Sequence, residues 1–335
     1  MRVIVITVVV TIAVILGARF VPDWYHNWQN SREEAVLARQ DAAAAVWLKA
    51  NGVIAEPWTT TQGPYETQLS GCPNGDLYGL SWYGGGTLSA YRDRKVTGVQ
   101  HLSAPTNPLR EFVGLTCSHD GAIYTLDPTR GFIVRVPSKG QPDLTWASVA
   151  QKDRTVGALA ATSDGSILQV DTHRSRVIRI SAQGSVNWNW AKVGDGAMGI
   201  SVAPDQTVYV DYRNTGEVTR ITASGAVTRH WATLPTNIPK SAPEWMRAYG
   251  GVCSRYDGGG FDGLGTNIVT DIKGDVFLGH TCLWRISKAG QVSHWPMATS
   301  RGRLEFVFAL GSGADGSIYG ATSDGIVRFA VPSKP

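Results

Sequence analysis

The side chains able to do chemistry in this 335-residue chain are recurrent arginines, two histidines beside tryptophans, four cysteines and scattered carboxylates. Their spacing argues against most catalytic classes. A zinc protease needs His-Glu-x-x-His and a thiol redox centre needs Cys-x-x-Cys; neither occurs, nor does a phosphate loop or a nucleophile elbow. Gly258-Gly-Gly260-Phe-Asp-Gly263 matches G-x-G-x-x-G, but a dinucleotide site requires a strand before that string and a helix after it. Neither flank has such a pattern, so the segment reads as a turn. His230 and His294 each precede a tryptophan, and Arg135, Arg179, Arg220, Arg285 and Arg328 recur in one local context. A residue present in every copy of a unit serves the unit. The arginines are expected to pair with Asp127, Asp171 and Asp211, and any site must come from how the repeated scaffold places its loops.

That scaffold is visible between Gly114 and Trp231. Three copies read DGAIYTLDPTRGFIVRVPSKGQPDLTW from Asp120, DGSILQVDTHRSRVIRISAQGSVNWNW from Asp164 and DQTVYVDYRNTGEVTRITASGAVTRHW from Asp205. The turns lie 44 and 41 residues apart, and Trp146, Trp190 and Trp231 repeat both intervals. A period of this size means one supersecondary unit copied and stacked. Each copy alternates apolar and polar residues in four short runs, as the half-buried strands of an antiparallel meander do. A more divergent unit precedes these three, with Cys72-PNGDLY matching Cys117-SHDGAIY, and two more follow. The last lacks a fourth strand. An open edge leaves backbone groups unpaired, and residues 53–61, with Trp58, are placed to fill it. The predicted fold is all-β, a six-bladed β-propeller over residues 53–335. Its blades fall at about 65–103, 114–146, 158–190, 199–231, 267–295 and 309–335, with an insertion at 232–266.

The units resemble NHL-type repeats and the related six-bladed propellers of regucalcin-like lactonases and streptogramin lyases. The resemblance rests on DG-x-[IV]-[YL] for the second strand, the aspartates Asp127, Asp171 or Asp211 at its end, a basic loop, and [VI]-x-R-[IV]. It implies a propeller, and for the lactonases it implies a divalent metal on the axis, held near the starts of the inner strands. Ten residues ahead of each second strand, however, stand Val113, Gly157, Met198, Thr266 and Phe308. A hard cation needs several oxygen ligands. Only Glu66 resembles the family's glutamate, and with Asp257 and Asp262 it makes up the whole set of oxygens for a divergent metal-dependent lactonase or lyase. The expectation is therefore no catalytic residue, no metal and no cofactor.

Binding is expected instead on the face carrying the turns after the second and fourth strands, where the units differ most. Its loops hold Arg130, Arg174 and Arg213. The insertion adds Trp245, Tyr249, Arg255, Tyr256 and Phe261, residues fitted either to plug the central channel or to recognise a protein, peptide or glycan. A net charge of +4, from 31 basic and 27 acidic residues, gives no reason to expect nucleic acid.

The uncharged run Val3 to Ala18, flanked by Arg2 and Arg19, predicts a signal anchor or a cleaved signal peptide within residues 1–22. Ser31-Arg-Glu-Glu34 opens a helical stalk over 23–52. Either form of the N-terminus places the propeller outside the cytoplasm, in the periplasm or extracellular space; cleavage would leave it secreted, and an anchor would hold it at the membrane. Four cysteines in an exported domain imply two disulfides. The matching positions of Cys72 and Cys117 favour pairing those two, leaving Cys253 with Cys282, which is expected in a loop.

Overall fold

The Asp-Gly turns decide where each inner strand ends. In the second unit the Gly121 N–H donates to the Ser118 carbonyl (3.0 Å), and the Asp120 carboxylate accepts the Ala122 N–H (3.1 Å). The third unit repeats this with Gly165 to Thr162 (3.1 Å) and Ser166 to Asp164 (3.1 Å). Glycine takes the left-handed slot (φ 80° and 78°) because a Cβ there would strain the backbone. In the fourth unit Gln206 occupies it at φ 66°.

The computed structural model describes residues 42, 45–59, 66, 68–81, 86–102, 112–150, 157–212, 215–235, 268–279, 282–301 and 307–332. After β1 (Val53–Thr59) come four sheets of four antiparallel strands. The first holds β2 (Gln68–Gly71), β3 (Leu77–Ser81), β4 (Thr87–Arg92) and β5 (Lys95–His101). Next are β6 (Val113–Cys117), β7 (Ile123–Asp127), β8 (Phe132–Val136) and β9 (Asp143–Ser148). The third holds β10 (Leu159–Ala161), β11 (Ile167–Asp171), β12 (Arg176–Ile180) and β13 (Val186–Lys192); the fourth β14 (Ala197–Val202), β15 (Val208–Tyr212), β16 (Glu217–Ile221) and β17 (Val227–Thr233). A fifth sheet of eight strands joins β18 (Ile268–Thr270), β19 (Val276–Gly279), β20 (Cys282–Ile286) and β21 (Val292–Thr299) to β22 (Ala309–Ser312), β23 (Ile318–Thr322) and β24 (Gly325–Phe329). The link is β1, antiparallel to β24 (Glu56 opposite Arg328) and parallel to the end of β21 (Val53 opposite Met297).

The innermost strands β2, β6, β10, β14, β18 and β22 touch in that cyclic order and return to β2, so the fold is an all-β propeller-like ring. Facing sheets bury apolar clusters between them: Leu168 and Val170 meet Ala197, Ile200 and Val210, while Leu80 and Leu88 meet Leu115 and Ile123. A fully buried Leu or Ile contributes roughly 1.5–3 kcal/mol. The fourth-strand tryptophans cap these interfaces. Trp146 packs edge-on against Tyr124 (centroids 4.8 Å apart), and Trp231 lies tilted against Tyr209 (4.8 Å, planes at 44°). Gly184 and Gly225 of the following sheets, at φ 83° and 90°, pass so close that a Cβ would lie 2.7 Å from the carbonyls of Trp146 and Trp190.

Residues 45–51 are helical, and Leu48 is buried against Ala298, with Trp47 and Ile54 packed beside it. Among the described residues no helix is long and apolar enough to cross a membrane. Residues 1–22, which carry the anchor expectation, lie outside them, as do Arg213, Trp245, Tyr249, Cys253, Arg255, Tyr256, Asp257, Phe261 and Asp262.

The expected pairing of the recurrent arginines is corrected. Arg135, Arg179 and Arg328 stand opposite Tyr124, Leu168 and Tyr319, near the start of the second strand, and their guanidiniums reach the turn that precedes it. Arg135 pairs with Asp120 (3.2 Å), Arg179 with Asp164, Arg285 with Asp275 (2.6 Å) and Arg328 with Asp315 (3.8 Å). Asp127 and Asp171 lie at the far end of that strand. Asp205 is met instead by Lys288 of the next sheet (3.4 Å). Cys282 is likewise not in a loop: it is the first residue of β20, fully buried and disulfide-bonded.

Candidate functional site

At the loop end, Asp127 folds the β7–β8 hairpin by accepting the N–H groups of Thr129 (3.1 Å) and Arg130 (3.0 Å). The exposed Arg130 guanidinium sits 5.3 Å from the Phe132 ring centroid. In the next sheet the β11–β12 hairpin closes through a 3-10 turn over Thr172–Arg174. Buried Asp171 takes Arg176 at 2.9 Å and Arg174 at 3.8 Å, and Arg176 lies over Trp188. Two of the predicted binding arginines thus stand at the same end of neighbouring sheets, each steadied by its own hairpin.

Asp211 is not the third member of the aspartate series. It is the fourth residue of β15, whereas Asp127 and Asp171 are the fifth of β7 and β11, and Tyr212 takes their place. A one-residue offset in a strand turns the side chain to the opposite face. Asp211 is fully buried towards β14 and β18, where a Cβ on Gly199 would lie 2.2 Å from its Oδ1. The Tyr212 hydroxyl accepts the Gly194 N–H (3.1 Å) and shares a hydrogen bond with Thr219 (2.8 Å).

On the axis, the later halves of the innermost strands enclose a cavity of 160 Å³. Its hydroxyls brace neighbouring strands. Ser70 accepts the Cys117 N–H (3.1 Å), Thr116 accepts the Ala161 N–H (3.0 Å), and Thr270 bonds Ser201 (3.1 Å) and the Val202 carbonyl (2.7 Å). The disulfide between Cys72 and Cys117 ties the first two sheets together beside this cavity.

Glu66, just ahead of the first inner strand, is a carboxylate whose surroundings change its chemistry. It is 6% exposed and accepts a 2.6 Å hydrogen bond from the Tyr91 hydroxyl, while its Oε2 has no hydrogen-bond partner among the described residues. Burial pushes its carboxyl up to about 7, against the smaller opposing effect of hydrogen bonds from Tyr91 and Ser89. Burial, followed by the nearby Glu66 charge, pushes the Tyr91 phenol up as well. Gly79 makes the room: a Cβ there would lie 2.6 Å from Glu66 Cδ. Sequence reasoning found Glu66 but not the neighbours that set its proton affinity. It also missed Gln169, fully buried, with neither amide atom hydrogen-bonded among the described residues.

Among the described residues the inner-strand starts do not fit an axial metal. Val113 and Met198 are aliphatic, buried and at inner-strand starts, and Gly157 offers no side chain. Glu66 is turned onto the first sheet, against Gly79 and Tyr91, and is absent from the axial cavity lining. Among the described residues no three His, Cys, Asp or Glu side chains gather as metal ligands would.

No protein-family model and no curated protein matches the sequence. Solved structures do match the fold. A gluconolactonase from Xanthomonas campestris aligns over 85% of this chain and 92% of its own, with 16% identity and a TM-score of 0.60. A streptogramin B lyase covers 84% and 98% of the two chains at 14% identity and TM-score 0.56. Virginiamycin B lyase from Staphylococcus aureus covers 83% and 87% at 18% identity and TM-score 0.53. At such identities the likeness is one of fold. The chain has the β-propeller architecture shared by the NHL-type, lactonase and streptogramin lyase propellers.

Proposed function

We propose that this chain is an exported six-bladed propeller that binds an envelope or extracellular protein, peptide or glycan through its loop end and does no chemistry of its own. Residues 1–22 would tether it to the membrane, and residues 23–52 would space it from the bilayer. The observation that carries the non-catalytic reading is the aliphatic character of Val113 and Met198 at the inner-strand starts, where an axial hard cation needs oxygens. The cyclic contacts of the six innermost strands support the blade count, and the Cys72–Cys117 bond supports an oxidising compartment. Arg130 and Arg174, with Arg213 and the 232–266 insertion, would form the docking face. Metal analysis of the purified protein, with thermal melts in calcium, magnesium and zinc, tests the reading. No bound metal and an unshifted melt are expected; stoichiometric metal with a concentration-dependent rise in Tm would overturn it.

One observation favours a second reading, that of a divergent lactonase or lyase. A carboxyl pushed up to about 7 is matched to general acid–base work near neutral pH, and the fold is shared with a gluconolactonase and a streptogramin B lyase. Hydrolysis of gluconolactone, or consumption of streptogramin B, abolished by Glu66→Gln would establish that reading in place of the first.

A further inference from the structure

At the end of the ring opposite Arg130 and Arg174, a cleft of 820 Å³ opens between the first sheet and the β1–β24–β23 edge. One wall is a row across three strands, Glu56 opposite Arg328 and Arg328 opposite Tyr319, with Trp58 two residues along β1. The half-buried Trp58 ring is held edge-on by Tyr319 (centroids 5.1 Å, planes at 68°) and Tyr91 (6.3 Å, 61°), which fixes its orientation. The other wall is the β4–β5 turn, where Asp93 and Arg94 both take left-handed conformations (φ 49° and 67°). Arg94 reaches across the cleft to the Pro57 carbonyl (3.3 Å).

The carboxylates divide into those already engaged and those on offer. Asp76 is held by Arg92 and Asp315 by Arg328. Glu56 and Asp93 make no salt bridge or side-chain hydrogen bond among the described residues. A cationic ligand entering here would meet Arg94 and Arg328; an anionic one would meet Glu56, Asp76, Asp93 and Asp315. A neutral polyhydroxylated ligand uses both signs, because hydroxyls donate to carboxylates and accept from guanidiniums. The C–H face of a pyranose is the apolar complement to an aromatic wall, and the volume lies within that of small-molecule sites, about 300–1,000 Å³.

We propose that this seam cleft binds a neutral oligosaccharide, with Trp58, steadied from beneath by Tyr319, as the aromatic wall and Glu56, Asp93, Arg94 and Arg328 as its hydroxyl-reading groups. The site is separate from the loop end and does not depend on what binds there.

The test is calorimetric titration of the full chain with maltohexaose, cellohexaose and N-acetylated chitohexaose, and with spermidine as a cationic probe. At least one sugar is expected to bind with a Kd of about 1 mM or tighter. Glu56→Ala and Arg94→Gly, both at exposed positions and the second suited to its left-handed backbone, should each weaken it about tenfold. Gln183→Ala, an exposed position in the β12–β13 turn of the third sheet, should leave it unchanged. Trp58→Ala should abolish binding; because Trp58 also packs on the apolar cluster beneath it, the two surface variants keep the test valid if that protein fails to fold. Absence of binding by all three sugars, binding indifferent to Glu56→Ala and Arg94→Gly, or binding of spermidine alone would overturn the proposal.

Discussion

Replacing Glu66 by glutamine isolates the energetic effect of one buried carboxyl. In the folded protein this group titrates at about 7 instead of the ordinary 4.5. The native state therefore holds the proton more tightly than the unfolded chain does. The stabilisation that follows is fully present below 4.5 and is lost as the pH rises through 7. A shift from 4.5 to about 7 corresponds to about 3 kcal/mol between the two limits, a large share of the roughly 5–15 kcal/mol that holds a protein folded. Glutamine keeps the shape and can still accept the Tyr91 hydroxyl, but it never ionises. Equilibrium urea unfolding at intervals from about pH 4.5 to pH 8 should show wild-type stability falling by about 3 kcal/mol relative to Glu66→Gln, with the two proteins alike at the acid end and the variant more stable at the alkaline end. Parallel pH profiles would refute the reasoning, since they would mean that Glu66 is no more desolvated in the folded state than in the unfolded one.

The same pocket predicts that Gly79→Ala, whose Cβ would lie 2.6 Å from Glu66 Cδ, destabilises by about 1–3 kcal/mol; a double-mutant cycle with Glu66→Ala should recover most of that loss in urea unfolding. Removing the Cys72–Cys117 bond by double serine substitution opens a loop of sequence separation 45 and should cost about 4 kcal/mol on the chain-entropy model, read as a lower Tm. Arg285→Ala leaves Asp275, only 10% exposed, without its cation and should cost about 3 kcal/mol, whereas Arg135→Ala, whose partner Asp120 is 58% exposed, should cost less than about 1 kcal/mol. Equal losses for the two arginines would contradict the burial argument.

What the repeat carries was legible in the sequence, because it is local. The Asp-Gly turn, the alternating runs and the closing tryptophan each lie within one unit, so copying them yields sheets whose glycine turns and aromatic caps meet without further information. Cys72 and Cys117 could be matched for the same reason: they stand at one place in successive units. The arginine partners were not legible. An alignment equates Arg135 with Arg179 but is silent on which end of the strand each faces, and only the pairing of Tyr124 with Arg135 and Leu168 with Arg179 places them at the turn. Asp211 was misassigned for a related cause, since a single offset residue is invisible in an ungapped comparison and inverts the face in a strand.

The two pockets of unusual chemistry lie where the repeat is broken. Glu66 precedes the first strand of the first unit and acquires its raised proton affinity from burial against Gly79 and Tyr91, neither of which has a local sequence relation to it. The seam cleft joins Glu56 and Trp58, near the start of the described chain, to Arg94 in the first sheet and to Tyr319 and Arg328 near its end. In a ring built from copies, the interfaces between successive copies can be alike, but the one where β1 joins the last unit has no template. Side chains there are free of the constraint that makes Arg135 and Arg179 interchangeable. Substitutions at Glu66 and in the seam should therefore alter properties specific to this protein, whereas substitutions of Arg135 and Arg179, repeated arginines outside the seam, should alter only the stability of the sheet that carries them.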